Sequence, residues 1–292
     1  MANKTLRSNL LLLLTAAIWG FAFVAQRVGM EHVGPFTFNG VRFALGSLSL
    51  VPLIFYFNRN KKSEGSQNPQ GKSVLTAGII AGSVLFIAAS LQQVGLIYTS
   101  AGKAAFITSL YIILVPILGL FLKQHIGRGI WAGASVSLLG LYLLSVTEQF
   151  TVSKGDVFEL ASTVFWAAHI LIIGYFSVRV DVLKLSCLQF ATCSLLSLVT
   201  ALLFENINPV GIYEALIPIL YGGIGSVGIA YTLQVIGQKN AKASHAAIIM
   251  SMENVFAALG GFLILHETLG VRGILGCALM FSGLLVSQLK RT

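Results

Sequence analysis

Ten times along this chain the sequence runs for about twenty residues with almost no charge, the length an α-helix needs to cross a hydrocarbon core of roughly 30 Å. The stretches are residues 10–28, 36–57, 74–96, 104–122, 130–146, 157–176, 183–204, 216–236, 246–265 and 273–289. Inside a bilayer every backbone N–H and C=O must be satisfied within the protein, so runs of this length are expected to be helices. They account for the composition: 56% of the 292 residues are hydrophobic and only 10% charged, whereas a soluble domain is roughly 25% charged. The expected fold class is an all-α integral membrane protein with ten transmembrane helices. Lys4 and Arg7 ahead of the first run imitate a signal peptide, but the apolar segment continues past Phe21 without a small-residue cleavage site, so it is read as a retained helix.

The net charge of +9 does not point to nucleic acid, because the basic residues are dispersed among short loops and form no stripe. They fit juxtamembrane positions beside a negatively charged leaflet. With the N-terminus inside, 14 of the 19 Lys and Arg fall on the cytoplasmic side, and only Arg27, Arg42, Lys103, Lys154 and Arg272 do not. That bias sets the expected topology: a multi-pass protein of the cell membrane with both termini cytoplasmic. Cys187, Cys193 and Cys277 lie in apolar stretches without metal-ligand spacing and read as packing residues.

The chain also repeats itself. An offset of 147 superposes Phe43-Ala44 and Ser47-Leu48 on Phe190-Ala191 and Ser194-Leu195, and Trp19 on Trp166. An offset of 142 pairs Gln92 with Gln234, Gly95 with Gly237, Ala104-Ala105 with Ala246-Ala247, and Ser109 with Ser251; one residue further, Gly133 and Gly140 pair with Gly276 and Gly283. Two units follow, residues 1–147 and 148–292, each of five helices. Five is odd, so the second copy must enter the membrane from the opposite side, and the repeats are inverted. Inverted halves can exchange conformations and open a central site first to one face and then to the other.

Four passages resemble the EamA domain of the drug/metabolite transporter superfamily: residues 16–23 (AAIWGFAF), residues 35–42 with their closing arginine, residues 98–109 (YTSAGKAAFITS) running on to Pro116, and residues 252–267 (MENVFAALGGFLILHE). The resemblance covers nearly the whole chain. It implies a ten-helix carrier with cytoplasmic termini and a small-molecule substrate, amino acid-like, sugar-like or drug-like, often exported. The family commonly has a proline after the glutamate of the ninth helix; here Asn254 stands there, which puts a kink at that position in doubt. Pro116 and Pro218 remain as potential distortions of the fourth and eighth helices.

Ionisable groups in hydrocarbon are costly and usually face an interior or a wet cavity. Glu253 lies about nine residues into its helix, roughly 13 Å at 1.5 Å per residue, near mid-membrane. A carboxyl there suits proton exchange or the binding of a cationic group; its structural alternative is to tie helices together. Arg42 either snorkels to the surface or faces inward to attract an anion. Gln92, Gln234, Tyr111, Asn254 and Ser251 are candidates for a polar path, equally able to join helices. Trp19 and Trp166 are candidates to stack on substrate, with packing as the plainer role. His169 reads as a neutral histidine bonded to a neighbour or as a relay. Lys103 and His245, at equivalent helix mouths on opposite faces, are gate candidates or interfacial cations. Asp156 and Glu159 read as solvated charge at a membrane boundary, and Gly78 with Gly82 and Gly129 with Gly133 as packing pairs.

No cofactor or metal is expected: His266-Glu267 lacks the second histidine of a zinc helix, and no phosphate-binding loop is present. A membrane-embedded enzyme would need a nucleophile or a carboxylate pair, and a channel a filter or ring of charge, so both stand as alternatives behind a secondary transporter. The expected partners are a small-molecule substrate, the lipid bilayer and protons as a candidate coupling ion, with no nucleic acid; cargo, direction and oligomeric state are left open.

Overall fold

The computed structural model describes residues 2–61, 71–145, 153–264 and 270–288. Among these the regular structure is helical throughout. Helices α1 (Ala2–Gly29), α2 (Pro35–Lys61) and α3 (Gly71–Tyr98) are the first three crossings. The fourth is α4 (Ala101–Thr108) continued by α5 (Tyr111–Phe121), and the fifth is α6 (Arg128–Ser145). Helices α7 (Lys154–Phe176) and α8 (Val182–Phe204) are the sixth and seventh. A short α9 (Pro209–Glu214) precedes the eighth, which runs as α10 (Leu216–Leu220), a π-helical stretch (Tyr221–Tyr231) and α11 (Thr232–Gln238). The ninth is α12 (Ala243–Met250) with α13 (Glu253–Ile264), and the tenth is α14 (Val271–Gln288). All ten expected crossings are present; the expected ends at 146, 265 and 289, and the His266-Glu267 pair, lie outside the described residues.

The outside of the bundle is apolar and the polar residues are inside. Phe55, Leu202, Leu203, Phe204 and Ile217 are exposed, while Asn39, Gln93, Ser162, Thr163 and Gln189 are fully buried. Such a surface suits lipid, and the interior hydrogen bonds suit a medium without water.

Packing obeys a two-fold exchange of the halves. Helix α2 packs on α8 and α6 on α14, each across from its own counterpart; α3 meets α7 as the eighth crossing meets α1, and the fourth meets α7 as the ninth meets α1. Antiparallel contacts at equivalent residues make the inversion explicit. Ser47 Oγ donates to the Cys187 carbonyl at 3.0 Å, and Ser194 Oγ donates to the Gly40 carbonyl at 2.8 Å; Ser47 is the repeat partner of Ser194, and Gly40 of Cys187. A Cβ on Gly133 would fall 2.6 Å from the Gly283 carbonyl oxygen, and one on Gly140 2.6 Å from that of Gly276. Parallel helices would instead join Gly133 to Gly276. The α6 contact therefore runs through Gly133 and Gly140, while Gly78 and Gly82 seat α3 on Leu188 and Thr192 of α8.

The fourth and ninth crossings are interrupted at the same repeat position, Ser109-Leu110 and Ser251-Met252. The interruption doubted for want of a proline is present in the ninth. Asn254 does the work there by another route, donating from Nδ2 to the Ser251 carbonyl at 3.3 Å and to Ser109 Oγ. In the fourth, the break precedes Pro116, which lies within α5.

Candidate functional site

Between the halves is a cavity of about 40 Å³, lined among others by Trp19, Gln26, Arg42, Gln92, Thr108, Tyr111, Trp166, Ser226, Tyr231, Gln234 and Glu253. Seven of the ten expected substrate, coupling or polar-path residues meet here: Glu253, Arg42, Tyr111, Gln92, Gln234, Trp19 and Trp166. Asn254, Ser251 and His169 are not in the lining. Space for a water on this measure is roughly 10–15 Å³, so the cavity in this conformation has room for a few waters.

Glu253 opens α13 at the interruption. Its Oε1 accepts from Ser109 Oγ at 3.2 Å and from Tyr111 Oη at 3.1 Å. Tyr111 is the repeat counterpart of Glu253, so this bond joins the halves across their two-fold axis at the start of both second half-helices. Arg42, buried on α2, does not snorkel. Its Nε donates to Asn39 Oδ1 at 2.9 Å, and its guanidinium lies 4.9 Å from the Phe43 ring centroid. Among the described residues no carboxylate lies within ion-pair distance of Arg42, and no cation within that distance of Glu253. The cavity lining thus carries both groups without an ion pair between them.

Tyr231, at the end of the π-helical stretch, is the hub of the aromatic lining, and sequence reasoning missed it. Its ring centroid is 4.6 Å from Trp19 and 6.2 Å from Trp166, with Phe43 at 6.0 Å, Phe190 at 5.9 Å and His169 at 6.2 Å. His169 Nε2 is 2.9 Å from Gln189 Oε1, so it is bonded to a neighbour beneath the rings. Trp19 donates from Nε1 to the Ser226 carbonyl at 3.3 Å. Trp166 Nε1 and Gln234 Oε1 have no hydrogen-bond partner among the described residues.

Lys103 and His245 occupy matched places and have matched partners. Lys103 Nζ is 2.6 Å from Asp156 Oδ2, tying the start of α4 to the start of α7. His245 Nε2 is 3.2 Å from Asn9 Oδ1, and its Nδ1 is 3.3 Å from Ser287 Oγ, tying the start of α12 to α1. Asn9 is the repeat counterpart of Asp156, so the same joint recurs at opposite ends of the bundle, with Asp156 at one and Asn9 at the other.

Asp156 and Glu159 are not the solvated boundary charges expected of them. Asp156 is largely buried and accepts from Thr99 Oγ1 at 2.9 Å as well as from the Ser153 N–H. Glu159 is completely buried, with Oε2 accepting from Thr108 Oγ1 at 3.1 Å. What removes both from solvent is the close approach of α3: a Cβ on Gly155 would fall 2.6 Å from the Gly95 carbonyl oxygen. One signal was available, since the repeat places Glu159 on Leu12, an apolar position.

The profile of the EamA-like transporter family matches this chain twice, over residues 6–146 and 153–288. An uncharacterised transporter of Archaeoglobus fulgidus is 30% identical over 98% of this chain and 87% of its own length. The uncharacterised transporter YoaV of Bacillus subtilis is 23% identical over 92% of each. A probable amino-acid metabolite efflux pump of Salmonella typhimurium is 27% identical over 55% of this chain and 51% of its own. A crystal structure superposes with a TM-score of 0.79 at 21% identity, covering 97% of this chain and 98% of the other, a likeness of fold.

Proposed function

The chain belongs to the EamA-like transporter family, and from that premise we propose that it is a secondary transporter exporting a small zwitterionic, amino acid-like metabolite across the cell membrane by alternating access. The observation that carries the substrate class is the shared cavity of Arg42 and Glu253. A zwitterion supplies a carboxylate for the planar guanidinium and an ammonium for the carboxyl, so each unpaired group gains its counter-charge on loading. The rings of Trp19, Trp166 and Tyr231 offer an apolar or cation–π surface to the remainder of the molecule. The efflux-pump relative favours the same class and direction.

The moving units in this reading are residues 1–147 and 148–292, with both termini and the Asn9–His245 joint on the cytoplasmic side and the Lys103–Asp156 joint outside. Both joints are made in this structure. In this reading one of them parts to widen the cavity of about 40 Å³ for loading.

Quenching of the emission of Trp19 and Trp166 reads binding directly. Neutral amino acids should quench saturably, while the corresponding amines lacking a carboxylate and acids lacking an amine should bind at least about tenfold more weakly, the equivalent of 1.4 kcal/mol. Equal affinity for all three would remove the two-charge site.

A further inference from the structure

We propose that Glu159 is a proton-binding site of the transport cycle, separate from Glu253, which is thereby left to the substrate. The inference rests on the transporter reading for its role in coupling, but the site itself stands on geometry.

Glu159 Oε2 accepts from Thr108, while Oε1 has no hydrogen-bond partner among the described residues although Glu159 is completely buried. An ionised carboxylate is poorly served by such a place, since half of its charge faces nothing that stabilises it. A proton on Oε1 removes that penalty. A larger cation does not fit: a Cβ on Gly95 would fall 2.8 Å from Oε1, so the carboxyl lies directly against the α3 backbone.

The position is also a connection. One helical turn before it on α7 is Asp156, whose side chain retains a little solvent contact and pairs with Lys103 at the end of the bundle. On the other side, Thr108 both donates to Glu159 and accepts from Gln92 Nε2 at 3.1 Å, and Thr108 and Gln92 line the cavity. The ionisable groups around it are few. Asp156 shares its helix, and α3 presents Gly95 and Gln92, which do not ionise. Helix α4 presents Thr108 and, at its mouth, Lys103; α5 contributes Tyr111, bonded to Glu253. Helices α11 and α12 meet α7 further along, through Gln238 to the Ile170 carbonyl and Ala243 beside Gly174. A hydronium ion at the Lys103–Asp156 end breaks one of its O–H bonds as the proton forms an O–H bond at Glu159, leaving water. Release reverses this once the halves have rocked: the Glu159 O–H bond breaks as Thr108 Oγ1 takes the proton and passes its own to a water in the cavity, which becomes hydronium.

Infrared spectroscopy of the purified full chain, titrated over pH in H₂O and D₂O, reads protonated carboxyls by their C=O stretch. The expected result is a deuteration-sensitive band that is absent in Glu159→Gln, retained in Glu253→Gln and shifted in Thr108→Val. Carboxyl bands unchanged in Glu159→Gln overturn the proposal. If that variant does not fold, Glu159→Asp must move the band, and an unmoved band has the same meaning. In liposomes, tritiated alanine, leucine and phenylalanine supply the second readout. Glu159→Gln should keep exchange at symmetrical pH but lose the response of flux to an imposed pH gradient, and an undiminished response overturns the coupling role. Wild-type protein that moves none of these amino acids would sink the transport reading instead, leaving the infrared titration to decide the proton site.

Discussion

Glu253 has the geometry of a residue held ready, not of one used up in packing. Its Oε1 accepts two hydroxyl hydrogen bonds, and neither donor is a cation. A glutamine at 253 keeps an oxygen in the same place, so Glu253→Gln should fold and migrate as wild type while losing on the order of 10–100-fold in zwitterion affinity, about 1.4–2.8 kcal/mol. Tryptophan quenching measures it, and unchanged affinity would relieve Glu253 of a binding role. Arg42→Lys should also bind weakly, because an ammonium lacks the flat fork that stacks on Phe43 and meets a carboxylate with two bonds. Depth made Glu253 legible in the sequence, since nine residues of helix carry it to mid-membrane. The same rule failed for Glu159, only five residues into α7. What buries it is Gly95 and Thr108 on other helices, and tertiary approach leaves no mark on local hydropathy.

At the scale of elements, the ten crossings follow from apolar run length, and that was readable directly. The interruptions were readable only in part. A proline was the expected cause, whereas in the ninth crossing the Ser251 hydroxyl bonds the Ile248 carbonyl and the Asn254 amide the Ser251 carbonyl in its absence. The π-helical stretch was not foreseen, although Gly223 and Gly228, against Leu45 and Ser49, mark a helix that α2 approaches closely. It breaks the symmetry of the repeat and delivers Tyr231 to the cavity; π-helical segments are rare and recur at functional sites. The α6–α14 contact gives a stability test. Gly140→Leu drives a side chain into the Gly276 backbone and should cost about 1–3 kcal/mol, read as a lowered melting temperature in detergent. Gly102→Ala on α4 meets nothing within 4 Å and should be neutral or stabilising by up to about 1 kcal/mol; equal losses at both positions would remove close packing as the explanation.

For the whole molecule, parity in the sequence and antiparallel contacts in the structure say the same thing: one five-helix unit occurs twice, upside down. The pair Ser47–Cys187 and Ser194–Gly40 is that statement in two hydrogen bonds. Reporters fused after Lys62 and after Thr151 should respond from opposite sides of the membrane, the first from the cytoplasm; a common side would contradict the topology. The two end joints differ in their partners, Lys103 with Asp156 at one end and His245 with Asn9 at the other. Replacing Asp156 by Asn should loosen that end and speed opening there, seen as faster labelling by an impermeant thiol reagent of a cysteine introduced by Ala104→Cys, a buried position of α4. The central claim is alternating access around a single cavity, and counterflow tests it most directly. Liposomes preloaded with an unlabelled neutral amino acid should take up its tritiated form faster than empty liposomes, saturably and transiently above equilibrium. Uptake indifferent to the internal load, or rising linearly with concentration, would describe an open pore and contradict the account.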